Sequence, residues 1–207
     1  PLIRSISMPE AAAMSGFVGI VSLTPPAGAT RMTVVSLRHV VILGYPGVQP
    51  IDVVGPHEVF AGANSALEAL GRGAAYRLTV AAAESEVQTE SGLRMLADPL
   101  PDDTTPIDTL VIPGGDGVRR ARHDPTLVDW VRRVAPRCNR IACVCTGSFL
   151  AAEAGLLDGR SVTTHWARAE QLASQYPEVH VDAEPLYRRD GNVWSSAGVT
   201  AGIDLSL

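Results

Sequence analysis

The sequence predicts an α/β fold in which helices cover both faces of a mainly parallel sheet. From Arg38 onward, short apolar segments with strand character alternate with amphipathic segments with helical character. This alternation is typical of parallel sheets built from βαβ units. The chain has 207 residues, of which 46% are hydrophobic and 19% are charged. Such a composition is sufficient for one globular domain with a sizeable core.

Four strands and four helices are predicted in order along this part of the chain. Continuous apolar and β-branched segments predict buried strands at residues 39–45, 76–84, 109–115 and 140–145. Amphipathic segments predict helices at residues 51–70, 125–137, 147–157 and 166–176. The segment "SVTTH", residues 161–165, is expected to be a further strand, with His165 at its carboxyl end.

Two hairpins and an unfinished helix complete the pattern. Residues 86–100 are too polar and turn-rich for a helix, and they predict a small hairpin beside the main sheet. Residues 186–198 contain Asp190-Gly191, a two-residue turn typical of hairpins. Residues 200–207 begin a helical pattern that is not completed. We therefore expect the sequence to be truncated before a further C-terminal part.

The sequence divides into a tail and one domain. Residues 1–36 are expected to be an N-terminal tail or an over-extended start, and residues 37–207 the folded domain. The tail contains an apolar run followed by small residues, as a signal peptide does, but Met8 to Thr30 contains no basic residue. No uncharged apolar run reaches the roughly 18 residues expected of a membrane span.

Charge and cysteine content exclude several classes of function. The net charge is −5 and the pI is near 5.5, so the chain by itself lacks the basic surface that nucleic-acid binding requires. All 17 basic residues are arginines, which excludes a Schiff-base lysine and a P-loop lysine. Three cysteines do not make a disulfide framework. A cytoplasmic protein with small-molecule or protein partners and no cofactor is the expectation.

Cys145 is the main candidate for chemistry. It ends the predicted strand 140–145, directly before a helical segment, and Thr146 and Gly147 follow. A sharp strand-to-helix turn at the carboxyl edge of the sheet is the geometry of a nucleophile elbow. The unpaired first amides of the helix are expected to lower the thiol pKa and to hold an oxyanion. The alternative is a buried structural cysteine.

Further site residues are expected around this turn. Gly114 and Gly115 end the neighbouring strand and allow backbone amides to approach a ligand. His165 is expected at the same edge as a base or ion-pair partner, although it is equally compatible with a satisfied or exposed histidine. Asp52 opens the first helix, and it is either a proton donor and acceptor beside the thiol or a carboxylate favoured by the helix dipole.

The two cysteines of the predicted strand 140–145 do not indicate a metal site. Cys143 and Cys145 have the spacing "CVC", which fits no zinc pattern and has no histidine close in sequence. No metal is therefore expected.

Three separated motifs carry a resemblance to a known family. They are "GYPGVQPIDVVGPHEVFAGAN", "LVIPGGDG" and "IACVCTGSFLAAEAGLLDGRSVTTHW", and with their order and spacing the chain resembles the ThiJ/PfpI superfamily from Arg38 to Leu207. The resemblance implies a flavodoxin-like three-layer α/β sandwich, a homodimer, and a site with Cys145, His165 and Asp52 as catalytic positions. Gly114, Gly115, Thr146 and Gly147 are the implied ligand-binding positions.

Two departures from the family's motifs narrow the choice of branch within the superfamily. Ala167 occupies the place of the glutamate in an amidotransferase triad, and Thr146 stands where a PfpI-type protease carries a histidine. The sequence is most similar to the N-terminal sensor domains of GlxA-type AraC/XylS transcriptional regulators. This resemblance implies a small ligand at the elbow and DNA binding only through a C-terminal helix-turn-helix module outside this chain. The alternatives are an enzyme of the isonitrile hydratase-like branch and a redox-sensing Cys145.

Overall fold

The computed structural model of the chain describes residues 36–207. The expectations for the tail concern residues 1–36, which, apart from Ser36, lie outside the described part.

A seven-stranded sheet forms the centre of the domain, and six of its strands run parallel. Only the edge strand β10 is antiparallel to its neighbour β11. In spatial order the strands are β10 (Tyr187–Asp190), β11 (Val193–Ser196), β7 (Arg140–Val144), β6 (Thr109–Ile112), β1 (Arg38–Leu43), β2 (Tyr76–Ala82) and β5 (Asp98–Pro99). The mainly parallel sheet predicted from the sequence is confirmed.

Two groups of helices flank the sheet. The helices are α1 (Pro50–Ala69), α2 (Val118–Ala121), α3 (Pro125–Val134), α4 (Ser148–Glu153), α5 (Ala169–Gln175) and α6 (Val199–Ser206). Helix α1 packs on α6, whereas α4 packs on α2 and α3. The two long helices α1 and α3 begin with proline after a capping side chain, Gln49 for α1 and Asp124 for α3. Within residues 36–207, three 3₁₀ turns occur, at Ala135–Arg137, Cys145–Gly147 and Trp166–Arg168.

Two small sheets lie beside the main one. The predicted hairpin of residues 86–100 is present as the antiparallel pair β3 (Glu86–Gln88) and β4 (Arg94–Leu96). The same segment also supplies β5 to the main sheet, which the sequence pattern did not predict. Strand β8 (Ser161–Val162) pairs in parallel with β9 (His180–Val181).

The expectation that "SVTTH" is a strand ending at His165 is correct only for its first two residues, which form β8 outside the main sheet. Its strand ends at Val162, because the next two residues are held by side-chain hydrogen bonds instead of a strand ladder. The Thr163 amide donates to Ser195 Oγ (2.9 Å), and the Thr164 hydroxyl donates to the Cys145 carbonyl (2.9 Å). The segment therefore reaches the elbow as an irregular chain.

The central strands form the core, and α6 packs close behind the site. Residues 40–43 of β1 are completely buried, and burial of each such side chain stabilises the fold by about 1.5–3 kcal/mol. Gly55 of α1 lies against Ile203 of α6, and Gly202 of α6 lies against Val144 of β7; a Cβ at either glycine would come within 2.8 Å of its neighbour's side chain.

Candidate functional site

Cys145 occupies the turn between β7 and α4 in a strained backbone conformation. Its φ of 56° is the only positive value among the non-glycine residues that the structure describes, and such a conformation costs about 1–3 kcal/mol. Two fully buried hydroxyls hold the Cys145 carbonyl: Thr164 at 2.9 Å and Ser148 at 3.4 Å. The Ser148 hydroxyl shares its single proton between this carbonyl and Thr164 Oγ1 (2.7 Å). The strain at the elbow is thus maintained by buried hydrogen bonds on its inner side.

Gly147 is required by close packing and not by its dihedral angles. Its φ of −58° is accessible to any residue. A Cβ at this position would collide with the Ile112 carbonyl and lie 2.7 Å from the Pro113 carbonyl oxygen. The start of α4 therefore lies directly against the end of β6, and this contact fixes the direction of the turn.

Asp52 is completely buried in the first turn of α1. Its Oδ2 accepts a hydrogen bond from the Gly114 amide (2.9 Å), while Oδ1 is buried with no hydrogen-bonding partner among the described residues. Burial raises the pKa of this carboxyl from 3.8 to about 7, against the opposing effects of the Gly114 amide and the nearby Cys145 thiol. The thiol favours the carboxylate electrostatically but does not reach Oδ1 with hydrogen-bonding geometry. Asp52 can therefore hold or release a proton near neutral pH.

The two glycine amides that were expected to face a ligand are already engaged. The Gly114 amide donates to Asp52, and the Gly115 amide donates to Thr146 Oγ1 (3.0 Å). Gly115 has a φ of 116°, which favours glycine, and its Cα is packed against the backbone of Gly47 to Gln49. These amides position Asp52 and Thr146, and their direct role in ligand binding stays a prediction.

The expectation of a lowered thiol pKa at Cys145 is wrong. Burial raises the pKa of the thiol to about 12, and the carboxylates of Asp52 and Glu90 add to the effect. The Thr146 amide and hydroxyl act in the opposite direction, as the helix-start argument anticipated. They are outweighed because the thiol is 6% exposed and faces negative groups. At neutral pH the thiol is protonated.

His165 lies beside the same cavity as Cys145 but makes no hydrogen bond to it. The ring Nδ1 accepts a hydrogen bond from the Ala167 amide (3.2 Å). In the neutral ring this bond places the proton on Nε2. Nε2 can then donate to a bound molecule but cannot accept the thiol proton, so the geometry favours a hydrogen-bond donor over a base.

A cavity of about 210 Å³ lies over the elbow. Four of the predicted site residues line it: Gly115, Cys145, Thr146 and His165. Its remaining lining includes residues that sequence reasoning did not identify: Gln49, Glu90, Asp116, Val118, Arg119, Arg122, Phe149, Arg168 and Gln171. The cavity thus brings together four of the seven predicted site residues, whereas Asp52, Gly114 and Gly147 do not line it.

Glu90 joins three separate parts of the site. Its backbone amide donates to the Val48 carbonyl (3.1 Å). Its carboxylate accepts from Gln49 Nε2 (2.6 Å) and from the Asp116 amide (2.8 Å). No sequence signal singles out Glu90, because it lies in a polar hairpin turn and its partners are about 26 to 41 residues away.

Other classes of site are not evident in this part of the chain. Among residues 36–207, no group of three His, Cys, Asp or Glu side chains could hold a metal ion. All three cysteines are free. Within the same range, no helix has the length and apolarity needed to cross a membrane.

The fold and this turn define a class of protein. A mainly parallel sheet that carries a strained cysteine between an inner strand and the following helix is an α/β domain with a nucleophile elbow. More particularly, the chain belongs to the DJ-1/PfpI family, whose model matches residues 38–207. A ThiJ/PfpI family protein from Pseudomonas syringae superposes with a TM-score of 0.70 at 28% identity, covering 89% of this chain and 73% of that one. The family resemblance and the fold class are confirmed.

Three relatives indicate the branches nearby. An uncharacterized protein in the cpoL 5′ region of Streptomyces lividans is 39% identical over 68% of this chain and 96% of its own length. Isonitrile hydratase from Pseudomonas putida is 31% identical over 79% of this chain and 66% of its own. The HTH-type transcriptional regulator CdhR from Pseudomonas aeruginosa is 43% identical over 40% of this chain and 24% of its own. The match thus covers about a quarter of that regulator and just under two thirds of the hydratase.

Proposed function

We propose that residues 37–207 form the ligand-sensing domain of a cytoplasmic AraC/XylS-type transcriptional regulator. A small molecule would bind in the cavity over Cys145. The observation that carries this proposal is a half-open cavity with a protonated, buried thiol at its floor. Such a floor is suited to holding a ligand, whereas a nucleophile needs the thiolate and a base within reach.

The relatives support the regulatory role. CdhR and several other matches bear the description HTH-type transcriptional regulator. DNA binding would belong to a C-terminal helix-turn-helix module outside this chain. The net charge of −5 fits this division, because an acidic domain is a poor partner for DNA phosphates.

The reading frame beyond the codon for Leu207 tests this proposal. A frame that continues into a basic segment with two helix-turn-helix patterns is the expected result. In that case a promoter reporter should respond to a ligand with the intact regulator, and the response should be lost when the cavity is blocked by Thr146→Trp. A frame without any DNA-binding module would overturn the proposal.

We also propose that residues 37–207 fold independently of residues 1–36 and form a homodimer. Deletion of residues 1–36 should leave the midpoint of thermal unfolding unchanged. Light scattering should give twice the 21.8 kDa mass of the chain. A monomeric mass at micromolar concentration would contradict the dimer, and a lowered midpoint would contradict the domain boundary.

Hydration of an isonitrile is the second candidate, and a specific observation favours it. Asp52, with a pKa raised to about 7, lies beside the Cys145 thiol, and the Thr146 hydroxyl is next to both. The Cys145 sulfur would add to the isonitrile carbon while a proton passes through Asp52 to that carbon, giving a thioimidate. Water would then displace the thiol and leave an N-substituted formamide.

Turnover of small isonitriles decides this second candidate. The protein should be incubated with methyl and cyclohexyl isonitrile, and the formamide measured by chromatography. Formamide production that is lost in Cys145→Ala would support the enzyme. Equal rates for the two proteins would remove it.

A further inference from the structure

We propose that the cavity over Cys145 binds a small monocarboxylate, held by the three arginines that line it. This inference rests on the proposed ligand-binding role of the cavity and names the chemical class of its ligand. The arginines come from two separate segments. Arg119 lies in α2, Arg122 directly follows it, and Arg168 ends the 3₁₀ turn that begins after His165.

Arg119 and Arg168 form no ion pair among the residues that the structure describes. Neither guanidinium makes a hydrogen bond or an ion pair with another described residue. The nearest acidic lining residue on the α2 side, Asp116, forms no ion pair with Arg119. Both cations are therefore available to an anion that enters the cavity.

Arg122 is held in place by neutral groups. Its Nη1 donates to Gln175 Oε1 (2.6 Å), and its guanidinium lies 5.5 Å from the centre of the Phe149 ring. Its Nε is buried and has no hydrogen-bonding partner in residues 36–207. A buried unpaired donor on a cation is costly unless another group compensates it. An oxyanion in the cavity would supply that compensation without further ordering of the side chain.

The charges around the cavity favour one negative charge on the ligand. Three guanidiniums and the carboxylates of Glu90 and Asp116 line it, which leaves one net positive charge. Glu90 already uses both carboxylate oxygens for protein hydrogen bonds, so it does not neutralise an arginine directly. A monocarboxylate matches this balance better than a phosphate dianion.

The size and walls of the cavity define the rest of the ligand. A volume of about 210 Å³ is below the roughly 300–1,000 Å³ of sites for drug-sized molecules. Val118, Phe149 and the protonated Cys145 thiol provide apolar surface. His165 Nε2 offers one more donor. A short-chain carboxylic acid, with its chain toward the thiol and its carboxylate toward the arginines, fits this arrangement.

Calorimetric titration of the 207-residue chain with straight-chain carboxylates from acetate to hexanoate tests the inference. Butyramide serves as the neutral isostere and inorganic phosphate as the alternative anion. We expect saturable binding of at least one carboxylate, with butyramide and phosphate at least about tenfold weaker. Equal affinity for butyrate and butyramide, or tighter binding of phosphate, would overturn the inference.

Variants locate the site. Arg168→Gln and Arg119→Gln should each weaken carboxylate binding by about tenfold or more. Arg120→Gln is the matched control, because Arg120 lies on the same helix, is exposed and does not line the cavity. It removes the same charge and should leave the affinity within about twofold. An equal loss in Arg120→Gln would indicate general electrostatic attraction and would refute the site.

The failure of this inference is distinguishable from failure of the proposed function. If no carboxylate binds but a neutral compound protects Cys145 from alkylation, the ligand class is wrong and the sensor proposal stands. If carboxylates bind through Arg168 while the reading frame contains no DNA-binding module, the sensor proposal fails and the carboxylate site stands.

Discussion

Replacement of Asp52 by asparagine should change how the stability of the domain depends on pH. In the folded protein the pKa of Asp52 is raised from 3.8 to about 7 by burial. Between these two values the unfolded chain has lost the proton while the folded protein retains it. Unfolding therefore releases a proton, and the free energy of unfolding falls as the pH rises through this window.

The size of the effect follows from the pKa shift. At about 1.4 kcal/mol per pKa unit, the raised pKa of Asp52 changes the free energy of unfolding by about 4 kcal/mol over the whole titration. About 2.5 kcal/mol of this free energy should be lost between pH 5 and pH 8. The amide side chain of the Asp52→Asn variant can still accept from the Gly114 amide but has no proton to lose. The wild type should thus become less stable than the variant, or lose its advantage over it, as the pH rises.

Urea unfolding of the two proteins at half-unit steps from pH 5 to pH 8 provides the measurement. The quantity to compare is the difference in unfolding free energy between wild type and Asp52→Asn at each pH. We expect this difference to fall by about 2.5 kcal/mol across the range. Asp116→Asn, at an exposed position, is the control and should show a change below about 0.5 kcal/mol. A flat difference for Asp52→Asn would refute the buried, proton-holding carboxyl.

Three further predictions concern the elbow. Cys145→Gly should be more stable than Cys145→Ala by about 1 kcal/mol in urea unfolding, because only glycine adopts a φ of 56° without strain; equal stability would contradict the left-handed conformation. Gly147→Ala should lower the free energy of unfolding by about 2 kcal/mol or more, because the new Cβ would collide with the Ile112 carbonyl. Gly62→Ala, with nothing within 4 Å of the new Cβ, should leave the free energy of unfolding unchanged or raise it by up to about 1 kcal/mol. Similar thermal midpoints for the two variants would argue against the tight turn. The alkylation of Cys145 by iodoacetamide at pH 8, measured by mass spectrometry, should be at least about a hundredfold slower than that of a free thiol. It should be faster in Asp52→Asn than in the wild type, since removal of the carboxylate lowers the pKa of the thiol. An unchanged rate in that variant would show that the carboxylate has no influence on the thiol.

Local patterns were sufficient to predict most of the fold. Continuous apolar strands such as β1 and β7 and the hairpin of β10 and β11 depend on residues that are neighbours in sequence. The hairpin was predicted correctly, but its two turn residues are Gly191 and Asn192 instead of Asp190 and Gly191, because Asp190 still pairs with Val193. Strand β5 was missed because it consists of two residues, one of them proline, and exists only through pairing with β2. The segment after Val162 was misjudged because Ser195 and the Cys145 carbonyl, both distant in sequence, take its hydrogen bonds.

The site was predicted in position but not in its electrostatics. A cysteine between a strand and a helix indicates the elbow, and it correctly brought Cys145, Thr146 and Gly147 to the end of β7. Whether the pKa of the thiol is raised or lowered depends on its burial and on Asp52 and Glu90, and no local sequence pattern indicates these. The same holds for Arg119, Arg122 and Arg168, since their common cavity exists only after α2 and the turn at Trp166–Arg168 have packed.

The glycine contacts of α6 have a mechanical consequence. Gly55 lies three residues beyond Asp52 on α1, and Val144 immediately precedes Cys145, so α6 is in close contact with the backbone next to both residues. Glycine has no side chain that could rotate aside and absorb a displacement at Gly55 or Gly202. A shift of α6 by a few tenths of an ångström along its axis would therefore displace the backbone next to Asp52 and Cys145, unless the packing around these two residues resists it.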